Sequence, residues 1–327
     1  MRSTFPLRRR SVIAGAAGAL AAREVRAQAD YPDRPVRVVV SWPPGGGADT
    51  VGRILFQALS ERWGKTFVIE NHAGAAGTVG AGSVARTAPD GYTVLYDSTG
   101  QSIHPSLMPN MTYDIRKDFV PVALTALVPN LLVVNPSAKP RSVAELIALA
   151  KATPDGLDFA SSGTGSVQHM ALELLKQMAG IPLNHVPYRG GGPALNDVIA
   201  GHVGYYFSNA SASTGMVQSG QVIAIAHSGT GRIPAFPDLP AVADTLPGFE
   251  AYEWNGVFAP AGTPQAIVAK LNAGLNEVMA DPAISQRLAS LNVAVRRNSP
   301  DEFRQFFEGE VTKWARVIRK GNIQPTG

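Results

Sequence analysis

The sequence predicts an α/β protein of two domains with mainly parallel sheets. Strand and helix patterns alternate along the whole chain, glycine-rich turns separate them, and 327 residues are more than one ordinary domain holds. Val36–Val40 is a β-branched run, and Val51, Ile54, Leu55, Ala58 and Leu59 recur behind it at helical spacing, which makes a first βα unit. Residues 67–69 and 92–96 read as further strands, with a helix of small residues over 79–85 between them. Residues 131–134 form another strand, and Ser142 with Glu145 opens a helix through a capping box. Residues 158–160 lead into a helix with Val167, Met170, Leu174, Leu175 and Met178 on one face. Three C-terminal helices start with proline in the first turn, at Thr263-Pro264, Asp281-Pro282 and Ser299-Pro300, and Glu302 completes a capping box in the last. With no repeat and no polar linker, the chain is expected to pass between its domains inside strands.

Residues 1–27 read as an export signal. Arg2, Arg8, Arg9 and Arg10 precede an apolar run over residues 12–22, and Val25-Arg26-Ala27 has the spacing of a signal-peptidase site. The run is shorter than the roughly 20 residues a spanning helix needs, so cleavage after Ala27 is expected rather than a retained anchor. Arg9-Arg10-Ser11-Val12-Ile13 also fits a twin-arginine signal, and both export routes stay open. By either route the mature protein is expected in the periplasm.

The precursor carries a formal charge of +4. Removing residues 1–27 takes away six Arg and Glu24, leaving 23 basic against 24 acidic side chains. The mature chain is thus nearly neutral, and nothing favours a nucleic-acid partner. Cysteine is absent, which excludes disulfides, thiolate metal sites and cysteine nucleophiles. A chain of this size buries enough surface to do without disulfides.

Glycines recur at equivalent places: Gly45-Gly46-Gly47, Gly74-Ala75-Ala76-Gly77, Ser162-Gly163-Thr164-Gly165-Ser166 and Gly190-Gly191-Gly192 all stand just before expected helices. In an α/β fold such loops gather at the carboxyl ends of the strands, where ligands bind. Backbone N–H groups and helix N-termini there describe an anion site built from main chain. A nucleotide is disfavoured. Arg53-Ile54 stand where a P-loop needs Lys and a hydroxyl, and Asp49 would face the pyrophosphate of a dinucleotide.

Catalytic groups are poorly represented. Gly100-Gln101-Ser102-Ile103-His104 lacks the closing glycine of a nucleophile elbow, and none of the six histidines pairs at i+3 or i+4 to hold zinc. Ser166 and His169 could form a Ser–His pair in a secreted serine hydrolase, although a His bonding the loop before its helix is the blander reading. No metal or cofactor is expected. Asp49 is expected to cap its helix or tie its loop.

Several ordered stretches then resemble the Bug family, the solute receptors of tripartite tricarboxylate transporters. They are Tyr31-Pro32-Asp33-Arg34-Pro35, Trp42 through Asp49, Glu70 through Gly77, Gly163 through His169, His185 through Gly190, and Phe258 through Pro264. The resemblance spans essentially the whole mature chain. It implies a periplasmic binding protein-like fold of type II, with two α/β lobes closing on a ligand cleft like a Venus flytrap. Lobe 1 is expected over residues 28–130 and 228–327 and lobe 2 over 131–227, with crossings near 131–135 and 222–226.

The same resemblance implies a small carboxylic acid as ligand, a dicarboxylate or an aromatic acid, held by backbone amides. Carried over by motif, lobe 1 would offer Trp42, Gly45, Gly46, Ala48, Asp49, Ala75, Ala76, Gly77 and Ser98. Lobe 2 would offer Ser161, Thr164, Ser166, His169, Tyr188 and Ser208. The implied protein is a monomer that hands its cargo to membrane transporter subunits or signals to the ectodomain of a sensor kinase. His72-Ala73, Gly204-Tyr205-Tyr206, Ser208-Asn209 and His227-Ser228-Gly229 depart from the family pattern and bear on which acid is bound. Tyr205, Tyr206 and Phe207 alternate in direction along a strand, so one ring could face the cleft while the others are core.

Overall fold

The computed structural model describes residues 31–108 and 110–325; the export signal expected over residues 1–27 and the cleavage expected after Ala27 lie outside the described residues. Among the described residues, no helix is long and apolar enough to cross a membrane.

The first lobe is built on β1 (Val36–Val40), flanked in parallel by β2 (Phe67–Asn71) and β3 (Thr93–Ser98). A run of valines can lie in a central strand because both faces are covered, and Val36, Val38, Val39 and Val40 are all buried. Helix α1 (Gly47–Trp63) returns from β1, and α2 (Thr78–Val84) and α3 (Gly100–Leu107) follow β2 and β3. The sheet is completed by two antiparallel strands, β9 (Tyr252–Pro260) beside β3 and β4 (Phe119–Val134) beside β9.

Strand β4 joins the two lobes. Its residues 119–129 pair with β9, while Asn130 to Val134 pair with β7 (Tyr205–Asn209), and Leu131 to Val134 with β8 (Ile223–His227). In the second sheet β5 (Leu157–Ser161) lies parallel to both β7 and β6 (Leu183–Pro187). The two sheets therefore repeat one plan, β2-β1-β3-β9-β4 and β6-β5-β7-β4-β8. Helices α4 (Val143–Lys151), α5 (Val167–Ala179), α6 (Gly191–Ala200) and α7 (Ala210–Gln218) complete this lobe. The strand expected over residues 131–134 is only the end of the 16-residue β4. Pairing passes from one sheet to the other at Pro129-Asn130, the one Pro-Asn step in a strand that is otherwise mostly apolar.

Local rules account for most helix starts. Ser142 accepts the Glu145 N–H, but Glu145 turns its carboxylate to the Arg141 N–H, so the expected box is half formed. Pro264 is the N-cap of α8 (Gln265–Met279) and not its first helical residue. Asp281 caps α9 (Pro282–Ser290), and the Ser299–Glu302 box of α10 (Pro300–Gly321) is complete. Met178 is exposed, and α5 is instead buried along Val167 to Leu175. The long α10 spans two cores. Phe303, Phe307 and Val311 pack with Trp254 and Phe258, whereas Trp314, Val317 and Ile318 belong with Phe159, Leu172 and Phe207.

Candidate functional site

A cavity of about 510 Å³ opens between the sheets. Its wall is made where parallel strands end. Trp42, Gly46 and Gly47 follow β1, Ser98 to Gly100 end β3 and begin α3, Ser162 to Gln168 follow β5, Gly190 to Gly192 follow β6, and Ser208 and Asn209 end β7. This is where open α/β sheets place ligands. A surface hollow of about 570 Å³ between α3 and the end of α10 gathers no comparable set of strand ends.

The first lobe presents a braced glycine loop. Asp49 is buried, and its carboxylate accepts the Gly45 N–H at 2.9 Å, Arg53 Nε at 2.9 Å and Asn71 Nδ2 at 2.8 Å. Desolvation raises its pKa, but the Arg53, Gly45 and Asn71 donors outweigh this and hold it below the ordinary carboxylate range. Asn71 Nδ2 also donates to the Trp42 carbonyl at 2.9 Å. With Asp49 so engaged and Gly46 at the N-cap, α1 has no side-chain cap, and its first-turn N–H groups are left for another acceptor. Behind the loop, Ala75 and Ala76 sit at φ 44° and 55°, between Gly74 at 140° and Gly77 at 97°. Two alanines in the left-handed region hold about 1 kcal/mol or more of strain each, and such strain collects at ligand clamps.

The second lobe uses hydroxyls and uncapped backbone. Helix α6 begins at Gly190 with no side-chain cap. Ser166 caps α5 by accepting the His169 N–H at 3.2 Å. The His169 ring accepts the Gly165 N–H at 3.2 Å and stacks on His185 with centroids 3.7 Å apart. Burial first, and the neighbouring ring second, push His169 down to about 3, while burial pushes His185 down to about 4, so both are neutral imidazoles. His185 Nε2 lies 2.5 Å from Ser161 Oγ, which also accepts the Gly163 N–H at 3.1 Å. The Ser166–His169 pair of a hydrolase is not formed: the serine accepts a backbone N–H and the imidazole serves the loop.

Of the residues expected at the site, the structure brings Trp42, Gly46, Ala76, Ser98, Thr164, Ser166 and Ser208 to the cavity wall. Gly45, Ala48, Asp49, Ala75, Gly77, Ser161 and His169 are not on that wall, and neither is Tyr188, which turns its hydroxyl to Asp197 at 2.7 Å. Tyr206 lines the cavity and shares a hydrogen bond with Ser162 at 2.8 Å, whereas Tyr205 and Phe207 pack against Phe159 in the core. Asn209, one of the departures from the family pattern, lines the wall too, as do His104 and Glu253, for which the sequence suggested no ligand role. Glu253 left one sequence signal, the one charged residue in a strand that is apolar beyond Asn255. Among the described residues of the wall there is no Lys, Arg or Asp, and Glu253 is the one carboxylate.

Two α/β lobes with a shared strand and a cleft rimmed by strand ends and helix N-termini define a solute-binding receptor of the periplasmic type. The chain belongs to the tripartite tricarboxylate transporter receptor family, whose model matches residues 51–323. It is 37% identical over 314 residues to the UPF0065 protein in the tcbD-tcbE intergenic region of Pseudomonas sp. strain P51, covering 95% of this chain and 94% of the relative. It is 36% identical over 293 residues to BugT of Bordetella pertussis, covering 89% and 90%. Among solved structures it resembles R. palustris Rpa4515 with adipate (TM-score 0.81, 34% identity, 91% of this chain and 100% of that one). It also resembles the periplasmic binding protein BugD (0.77, 34%, 90% and 100%), and MatC of Rhodopseudomonas palustris with bound malate (0.76, 34%, 88% and 100%). This is a family of receptors and not of enzymes.

Proposed function

We propose that this receptor captures a small carboxylic acid in the cleft and delivers it to the membrane subunits of a tripartite transporter. One observation carries the reading: two helices, α1 and α6, begin without side-chain caps at a cavity whose wall, among the described residues, holds no Lys or Arg. Backbone N–H groups, the partial positive charge of helix N-termini and the Ser and Thr hydroxyls of the wall are then the groups left to hold an anion. The solved relatives with adipate and malate point to the same ligand class. Roughly three or four charge-assisted hydrogen bonds at about 1.5–3 kcal/mol each would reach the ~8 kcal/mol of micromolar binding.

In this reading Trp42, Gly46, Ala76 and Ser98 meet the ligand from one lobe and Thr164, Ser166 and Ser208 from the other. Gly45, Ala48, Asp49, Ala75, Gly77, Ser161, His169 and Tyr188 support them. The lobes divide as 28–130 with 228–327, and 131–227. The mature protein begins at Gln28, is released to the periplasm and acts as a monomer. Mass spectrometry of small molecules released from natively purified protein is the test. A co-purifying carboxylic acid that rebinds stoichiometrically and unchanged is expected, and a panel of acids none of which shifts the melting temperature would overturn the reading.

A further inference from the structure

Glu253 stands at the head of β9, where β9 pairs with the last lobe-1 residues of β4, and it reaches into the cleft wall. Its Oε2 accepts Asn209 Nδ2 at 2.9 Å and Gln168 Nε2 at 3.4 Å, both from the other lobe. The directions of these bonds are fixed from both ends of the network. Asn130 Nδ2 donates to the Ala251 carbonyl at 3.1 Å, so Asn130 Oδ1 faces Gln168 and accepts from Nε2 at 3.1 Å. The Ser211 N–H donates to Asn209 Oδ1 at 2.9 Å, which turns Asn209 Nδ2 toward the carboxylate. A carbonyl can only accept and a backbone N–H can only donate, so Glu253 receives two amide donors on one oxygen. Both amide donors fall on Oε2, so that oxygen is occupied by the second lobe. The other oxygen, Oε1, has no hydrogen-bond partner among the described residues. Burial raises the Glu253 pKa above the ordinary carboxyl range, and the Asn209 and Gln168 donors offset this only in part.

The remaining polar groups of the wall are backbone N–H groups, hydroxyls and the neutral His104, which burial pushes down to about 4. The cleft therefore has an anion-accepting rim and, separately, one carboxyl group with an unpaired oxygen. We infer that Glu253 works as an ionised acceptor and determines specificity: it gives the cleft a second pole that selects a carboxylic acid bearing a hydroxyl or ammonium donor at its far end and disfavours a second ionised carboxylate. This rests on the carboxylate reading of the cleft. The clasp to Asn209 and Gln168 holds Oε2 still, so that Oε1 is presented in one place to the ligand's donor.

Calorimetry on the mature protein with matched acids tests it. For chains of four to six carbons, the plain monocarboxylate, the ω-hydroxy acid, the ω-amino acid and the dicarboxylate are compared in wild type and Glu253→Gln. Glutamine keeps an acceptor for the two amides and removes the charge. At the best length, a donor-terminated acid is expected to bind wild type about tenfold or more tighter than the diacid, and Glu253→Gln to bring the two within about threefold, chiefly by strengthening the diacid. A diacid that binds wild type as tightly as the donor-terminated acids would overturn the inference, and that comparison stands even if the variant does not fold. So would an equal loss for all four acids in the variant, which marks a hinge clasp only, or a diacid that weakens in it, which marks a protonated donor. If no acid of any length binds either protein, the carboxylate reading itself fails.

Discussion

Trp42 Nε1 donates to Asp97 Oδ1 at 2.8 Å, tying a residue of the cleft wall to a carboxylate that is 1% exposed. The same oxygen accepts the Ser98 N–H at 2.8 Å, and Gln101 donates to the other. Burial pushes Asp97 up to about 6 against these donors. Its folded pKa thus lies above the unfolded value of about 3.9, so the native state takes up the proton first and gains stability as pH falls from about 6 toward 4. Asp97→Asn lacks that titration. The urea stability of wild type relative to Asp97→Asn should rise by up to about 3 kcal/mol between pH 7 and pH 4. A pH-independent difference would mean Asp97 ionises normally.

Affinity should follow the open backbone donors and not the nearest cation. Gly46 already sits at φ −73°, a proline value, and its N–H leans on the Pro43 carbonyl at 3.4 Å, so Gly46→Pro would leave the cleft's donors in place. Gly47 is the first helical residue, where proline is accepted, and a Cβ there meets nothing within 4 Å. Gly47→Pro should weaken ligand binding by about 1.5–3 kcal/mol, with an unchanged circular dichroism spectrum. Arg189, exposed and off the wall, should cost less than about 1 kcal/mol on mutation to alanine. Calorimetry returning the opposite ranking would sink the backbone-donor model.

The stacked pair His169–His185 makes the second lobe acid-sensitive. Both folded pKa values lie below the unfolded value of about 6.5, so the stabilisation is whole above that pH and is lost as pH falls toward 4. His185→Gln should lower stability at pH 7 and flatten the decline between pH 6.5 and 4. A thermal melt series across that window decides it, and an unchanged slope would show that the pair is not what titrates.

Ser166→Ala removes the α5 cap and one hydroxyl of the wall. Stability should drop by about 1 kcal/mol, seen as a shifted urea midpoint at constant slope. Ester substrates should be untouched by wild type and variant alike, since Ser166 has no base beside its hydroxyl; serine-dependent turnover would contradict the receptor assignment.

Much of this was legible along the chain because the relevant physics is local. The β1–α1 unit, the serine and aspartate caps and the glycine loops at strand ends depend on side chains a few residues apart, and the family resemblance rests on the same loops. Which members of those loops face the cavity is another matter. Ser161 and His185 lie 24 residues apart and turn inward to each other, while Tyr206, between two core aromatics, reaches the wall through Ser162, 44 residues away. Glu253 meets Asn209 and Gln168 across 44 and 85 residues. Strand β4 runs as one continuous strand from one sheet into the other, and α10 as one helix spans two cores. Periodicity reports that a residue is buried or turned outward within its own element; which partner it meets depends on how sheets far apart in sequence pack, and only the folded chain decides that.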